Sequence, residues 1–156
     1  MEGSYYAEEF GYNSRLDEVH AEILLRKLGR LDRYIARRRD LARCYEEILA
    51  PTSLVLPATV LGNEHVYYAY VARHPERDRI VAALKDDDIL VNISYPWPIH
   101  TMRGYADFGY KEGDLPKTEA AAREVFSLPM YPSLSNEEQD IVCRALGKIL
   151  GEKICL

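Results

Sequence analysis

The sequence predicts an α/β domain in which helices lie against a small, mainly antiparallel sheet. Three observations predict it. Apolar residues recur at helical spacing between Ser14 and Leu49, and aromatic and β-branched runs of strand length occupy 65–74 and 89–93. Near the end, Ser135-Asn-Glu-Glu138 has the form of a capping box ahead of an amphipathic run. With 156 residues and 47% hydrophobic content, the chain is long enough to bury one core.

The first element is read as one long helix over 14–49. Leu24, Leu28, Leu31, Ile35, Ala42, Tyr45 and Leu49 recur at three, four and seven residues. Ser14 suits the N-cap, with Asp17 at the third helical position, and Pro51 follows the end. At 1.5 Å per residue such a helix extends about 50 Å, more than a domain of this size needs for itself, so something else is expected to pack along it.

Beyond the turn-rich stretch 51–63, His65–His74 reads as a strand, and its alternation assigns the tyrosines there to the core. Pro75 opens a short helix, Glu76–Leu84, and Ile89–Ile93 is a second strand. Tyr95-Pro-Trp-Pro-Ile-His100 is a stiff, extended loop, because Pro96 and Pro98 fix their own φ and restrict their predecessors. The Gly-, Asp- and Tyr-rich stretch 103–116 reads as loop, Thr118–Val125 as helix and Ser127–Met130 as a short strand. The last helix carries Ile141, Val142, Ala145, Leu146, Ile149 and Leu150 and closes at Gly151.

Charge and cysteine usage exclude several classes. A net charge of −5 argues against general nucleic-acid or membrane-surface binding, which calls for a basic face. The balance is uneven: residues 14–50 carry nine Lys/Arg against seven Asp/Glu, leaving −7 for the remainder. The run Arg37-Arg38-Arg39 spreads around its helix and is expected to be a solvated face. Cys44, Cys143 and Cys155 have neither CxxC spacing nor clustered histidines, so neither a metal site nor a disulfide framework is expected. No apolar run reaches the length of a membrane span and no signal peptide opens the sequence, so a soluble protein of the reducing cytoplasm is expected.

No complete catalytic constellation is present in the pattern: there is no Gly-rich phosphate loop, GxSxG or HExxH. Asn13, Ser14 and Arg15 stand at a helix start, where free N–H groups and the helix dipole favour a phosphate or carboxylate; equally, Ser14 can simply cap and Arg15 face water. His100, at the end of a proline-stiffened loop, can meet a ligand or bond to its own loop. His20, His65 and His74 have no partners at ligand spacing and are read as structural.

Three blocks then carry a resemblance. Phe10-Gly-Tyr-Asn-Ser-Arg-Leu-Asp-Glu18, Tyr95-Pro-Trp-Pro-Ile-His100 and Ser127-Leu-Pro-Met-Tyr-Pro132 with Leu134-Ser135 occur in the order found in the DegT/DnrJ/StrS sugar aminotransferases. The chain resembles the C-terminal portion of these pyridoxal-phosphate (PLP) enzymes, which act on keto-sugar nucleotides in antibiotic and cell-surface sugar pathways. The resemblance implies the small domain of a fold-type I, aspartate aminotransferase-like protein, with 1–13 a remnant of the large-domain or linker region and 14–156 the small domain including the connecting helix 14–49. It implies a homodimer, or a complementary aminotransferase chain, with shared sites: Asn13 reaching the PLP phosphate across the dimer, Arg15 near the amino-donor carboxylate, and His100, with Tyr95 at the head of the same loop, bordering the sugar-nucleotide pocket.

The family's Schiff-base lysine precedes the Asn-x-Arg block. Here twelve residues precede Asn13 and none is lysine, while the six lysines (27, 85, 111, 117, 148 and 153) all lie downstream in segments that match no lysine motif. Covalent PLP and transamination are therefore not expected of this chain by itself, although the parent family moves an amino group from glutamate or glutamine to a keto-sugar nucleotide. The alternative reading is a non-catalytic protein of the same descent that dimerises or binds a partner; a sugar-nucleotide binding module built on the His100 loop is a third.

Overall fold

A computed structural model describes residues 16–154. It divides into two units at the step from Arg33 to Tyr34, a boundary inside the span expected as one domain. In the first unit, α1 (Glu18–Leu28) starts at an extended Asp17 N-cap whose carbonyl accepts from the Ala21 N–H at 2.9 Å. None of its residues is buried. The expected N-cap, Ser14, lies outside the described residues, as do Asn13, Arg15 and Cys155.

The single helix expected over 14–49 is interrupted. A turn at Gly29 and Arg30 separates α1 from α2 (Leu31–Leu49), and the Arg30 N–H bonds the Lys27 carbonyl three residues back at 3.0 Å. Glycine is among the weakest helix formers, so the apolar period runs on across a site where the hydrogen-bond ladder does not. Buried positions in α2 begin at Leu41 and continue through Ala42, Tyr45, Ile48 and Leu49, the face that the periodicity marked.

The core of the second unit joins that face to a two-stranded sheet and two helices, α3 (Arg77–Asp86) and α5 (Asn136–Leu150), while α4 (Pro116–Glu124) adds no residue to this cluster. Strands β1 (Tyr70–Arg73) and β2 (Val125–Leu128) pair antiparallel, with Tyr70 opposite Leu128 and Ala72 opposite Phe126. Tyr70, Ala72, Phe126 and Leu128 are all buried, and the Tyr45 and Tyr70 rings lie 5.0 Å apart. The Tyr45 hydroxyl donates to the Pro129 carbonyl at 3.0 Å.

Two of the three predicted strands are shorter than their sequence pattern, and the third, read over 127–130, forms at Val125–Leu128. Tyr67 has φ +49, a left-handed conformation that ends strand geometry ahead of Tyr70. Only Asn92 of 89–93 joins the ladder, as one bridge to Ser127; Asp88 before it and Tyr95 after it both have positive φ and turn the chain off the sheet. The core assignment of the tyrosines holds for Tyr70 and in part for Tyr67, while Tyr68 is exposed.

The arginine run is not a solvated face. Arg38 Nη1 donates to the carbonyls of Tyr67 (3.0 Å), Tyr68 (2.9 Å) and Met130 (2.9 Å), clasping the segment that fails to join the sheet. Arg37 donates to the Leu134 carbonyl and the Asn136 side chain, and Arg39 to the His65 carbonyl and Glu64. Helical spreading sends Arg37 to the turn ahead of α5 and both Arg38 and Arg39 to the 64–68 stretch. Arg77, buried, answers the C-terminal end of α4 through the carbonyls of Ala122 and Val125. At α5 the predicted capping box forms: Ser135 Oγ accepts from Glu138 N–H at 3.1 Å and the Glu138 carboxylate accepts from Ser135 N–H at 2.8 Å.

Candidate functional site

Tyr95–His100 leaves the sheet edge at Asn92, whose side-chain amide donates to Ser94 Oγ. Tyr95 has φ +60, an uncommon conformation for a tyrosine and of the kind that concentrates at functional sites. Pro96 and Pro98 stiffen the chain beyond it, which then tightens into a 310 turn, Ile99–Thr101, with the Thr101 hydroxyl on the Pro98 carbonyl. The loop is therefore not extended throughout: its head, Tyr95, is left-handed, Pro98 is extended, and a turn follows. It exposes Tyr95 (85%) and Trp97 (70%), two large amphipathic side chains with little conformational freedom to lose.

His100 lies at the buried end of this loop. Its Nε2 is 2.9 Å from Glu119 Oε1, with the two side chains 6% and 7% exposed. The same oxygen accepts from the backbone N–H groups of Gly113 (2.9 Å) and Leu115 (3.3 Å). His100 donates this bond, since an ionised carboxylate only accepts. The His100 bond foremost, with help from the two backbone N–H groups and against the cost of burial, holds the Glu119 carboxyl below its ordinary value. Neither reading that the sequence left open for His100 describes this bond, which leaves the 95–100 loop for Glu119 of α4.

Glu119 is the residue that sequence reading missed. A signal was available: a carboxylate in the first turn of a helix opened by Pro116, directly after a glycine-containing loop, can satisfy the orphan N–H groups there. That it would also meet a histidine nineteen residues away has no local signature. The stretch 103–116, read as loop, contains a 310 helix, Arg103–Phe108, that exposes Phe108 and Tyr105.

The remaining histidines serve local structure. His65 Nδ1 accepts from the Tyr67 N–H at 2.8 Å, and exposed His20 sits 3.3 Å from Asp17. His74 lies 3.2 Å from Ser53 Oγ through Nε2, which suggests a nucleophile and its base. However, Nδ1 accepts from the Glu76 N–H at 3.0 Å, so the proton of neutral His74 is on Nε2 and points at the serine oxygen, the wrong way to activate it. Among the described residues no group of three or more His, Cys, Asp or Glu could hold a metal. A separate open cleft of about 390 Å³, lined by Ile89, Leu90, Tyr131, Leu134 and Ile141 among others, contains none of the sequence-predicted site residues.

All six lysines are exposed, and Lys148 faces Asp87 at 3.8 Å. A lysine that condenses with a cofactor aldehyde is activated by desolvation or a neighbouring cation in an enclosed pocket, and none of these lysines has one. The described residues therefore do not fit covalent attachment of PLP.

Residues 1–147 match the DegT/DnrJ/EryC1/StrS aminotransferase family. The chain belongs to this family. Among its relatives is the dTDP-3-amino-3,4,6-trideoxy-alpha-D-glucose transaminase of Micromonospora megalomicea subsp. nigra, 54% identical over 96% of this chain and 42% of its own length. The Streptomyces venezuelae enzyme of the same name is 36% identical. Among solved structures, S. venezuelae DesV in complex with a ketimine intermediate superposes with a TM-score of 0.90 at 33% identity, covering 98% of this chain and 42% of that one. A family member from Brucella abortus gives 0.87 at 32% identity, over 97% of this chain and 40% of its own. The fold is that of fold-type I PLP aminotransferases, and the chain spans about two fifths of the length of the relatives it matches. No helix among the described residues is long and apolar enough to cross a membrane.

Proposed function

We propose that this chain supplies the C-terminal, small-domain part of a PLP-dependent sugar aminotransferase that moves an amino group from glutamate or glutamine to a nucleotide-linked keto-sugar in the cytoplasm. The observation that carries the reading is the agreement in backbone with DesV across 98% of the chain, joined to 54% identity with a dTDP-sugar transaminase. In this reading Asn13 meets the cofactor phosphate across a dimer interface, Arg15 the donor carboxylate, and the loop headed by Tyr95 the sugar nucleotide. PLP supplies the electron sink for such a reaction, and the lysine that holds it belongs to the remaining three fifths of the enzyme.

Complementation tests this. The chain is mixed with a polypeptide comprising the remaining length of the Micromonospora megalomicea relative, and amino transfer from glutamate to its dTDP-linked keto-sugar is followed. Product is expected only when both pieces are present, and is lost with Asn13→Ala. A complex that forms without product, while the whole relative is active, overturns the catalytic reading. It would favour the second one, a partner-binding protein of the same descent, which the exposed apolar residues of α1 and the exposed lysines support.

A further inference from the structure

Two stretches distant in sequence converge on one oxygen. Glu119 Oε1 accepts from His100 Nε2 at 2.9 Å, from Gly113 N–H at 2.9 Å and from Leu115 N–H at 3.3 Å. The first bond fastens the end of the Tyr95–Thr101 loop and the other two fasten the turn that leads into α4. Among the described residues no other side-chain bond of the 95–101 loop reaches the rest of the fold in this way: the Thr101 hydroxyl and the Ser94–Asn92 contact both close on neighbouring residues. The exposed aromatic side chains, Tyr95 and Trp97, lie three to five residues from that anchor on a segment stiffened by Pro96 and Pro98. A stiff segment transmits the position of its fixed end to its free one.

We propose that Glu119 is a positioning residue: its carboxylate holds His100, and through it sets where the Tyr95–Trp97 surface stands. The chemistry suits this. A charged acceptor for three donors is stronger than a neutral one, and a buried histidine left without its acceptor costs its full desolvation, so the loop end is either bonded here or displaced. These contacts alone anchor the loop. The consequence for nucleotide-sugar binding rests on the reading of the loop under Proposed function.

Trp97 is the sole tryptophan, so its fluorescence reports this loop without labelling. In the full chain, the nanosecond component of Trp97 anisotropy decay is expected to grow by about twofold in Glu119→Ala, as the loop gains segmental motion. Glu119→Gln, whose amide oxygen can accept the same three bonds, is expected to restore the wild-type decay. His100→Ala, which leaves the Gly113 and Leu115 bonds in place, is expected to loosen Trp97 as Glu119→Ala does. Far-UV circular dichroism checks that each variant keeps its helices. An unchanged Trp97 decay in folded Glu119→Ala overturns the proposal. Should Glu119→Ala not fold, a rigid Trp97 in folded His100→Ala overturns it equally.

A second arm separates the latch from the functional reading. With dTDP-glucose as probe, quenching of Trp97 is expected in the wild-type chain paired with a complementary polypeptide whose own tryptophans are replaced by phenylalanine, at an apparent Kd raised about tenfold in Glu119→Ala and recovered in Glu119→Gln. Absence of any quenching in wild type, with the decay differences intact, refutes the nucleotide-sugar assignment of the loop and leaves the latch standing. Quenching with equal Kd in all variants refutes the positioning role.

Discussion

Glu119 carries a linkage to pH because its carboxyl is held below its ordinary value of 4.5 by the His100 bond first and the backbone N–H groups after it. A depressed folded-state value stabilises the native chain at any pH above the ordinary carboxyl range, and that contribution is lost as pH falls through the depressed value. Thermal melts of Glu119→Gln against wild type are therefore expected to differ near neutrality and to converge in acid; a constant gap down to acid would remove this role. Arg38 is a comparable single point of attachment. Its three carbonyl bonds predict that Arg38→Ala loses about 2 kcal/mol, read from the urea midpoint at unchanged m, which a shift within experimental error would contradict. Arg38 was not legible from its neighbours, and of Glu119 only the place at a helix start was. Spacing shows which way a side chain leaves its helix, and Arg38 and Glu119 take their meaning from carbonyls and N–H groups brought from elsewhere. Cys143 was legible only as an unclustered thiol. Burial pushes it up to about 12, so it is expected to resist a thiol reagent at pH 8 until the chain unfolds, whereas half-buried Cys44 is the more accessible; peptide mapping distinguishes them.

Elements whose signals are local came through with their ends nearly intact. The Ser135 capping box and Gly151, which adopts φ +71 beyond the last turn, delimit α5 as the sequence reads, because caps are made by residues within four positions of each other. Ser135→Ala is expected to lose about 1 kcal/mol in denaturant unfolding, and retention of full stability would mean that the box contributes nothing. Elements that depend on a partner were over-read. A run such as 65–74 has strand composition throughout, yet a strand exists only where another segment supplies ladder bonds, and β2 is four residues long. The remaining residues took a left-handed turn at Tyr67 and gave their carbonyls to Arg38. The long helix failed for the opposite reason: the apolar period crosses Gly29 without interruption, and only the backbone registers that a glycine is there.

At the scale of the whole molecule, the described residues leave an apolar surface uncovered. On α1, Val19, Ile23, Leu24, Leu25 and Leu28 are exposed in a helix with no buried residue, and contiguous apolar surface of this kind marks a contact. The sequence showed the stripe and its excess length, and no local pattern could show what covers it. The chain spans 42% of its M. megalomicea relative, and under the function proposed above the remaining part of the enzyme would cover this surface and carry the cofactor lysine. Treated with PLP and then borohydride, the chain alone should show no stoichiometric adduct on any of its six exposed lysines, and should self-associate as its concentration rises. Leu24→Lys should suppress that association without lowering the unfolding midpoint of the second unit, whose core excludes α1. Adding the complementary polypeptide should suppress it as well, and should bring the reducible adduct onto the added piece. A single modified lysine within this chain would return the Schiff base to these residues and overturn the division of labour.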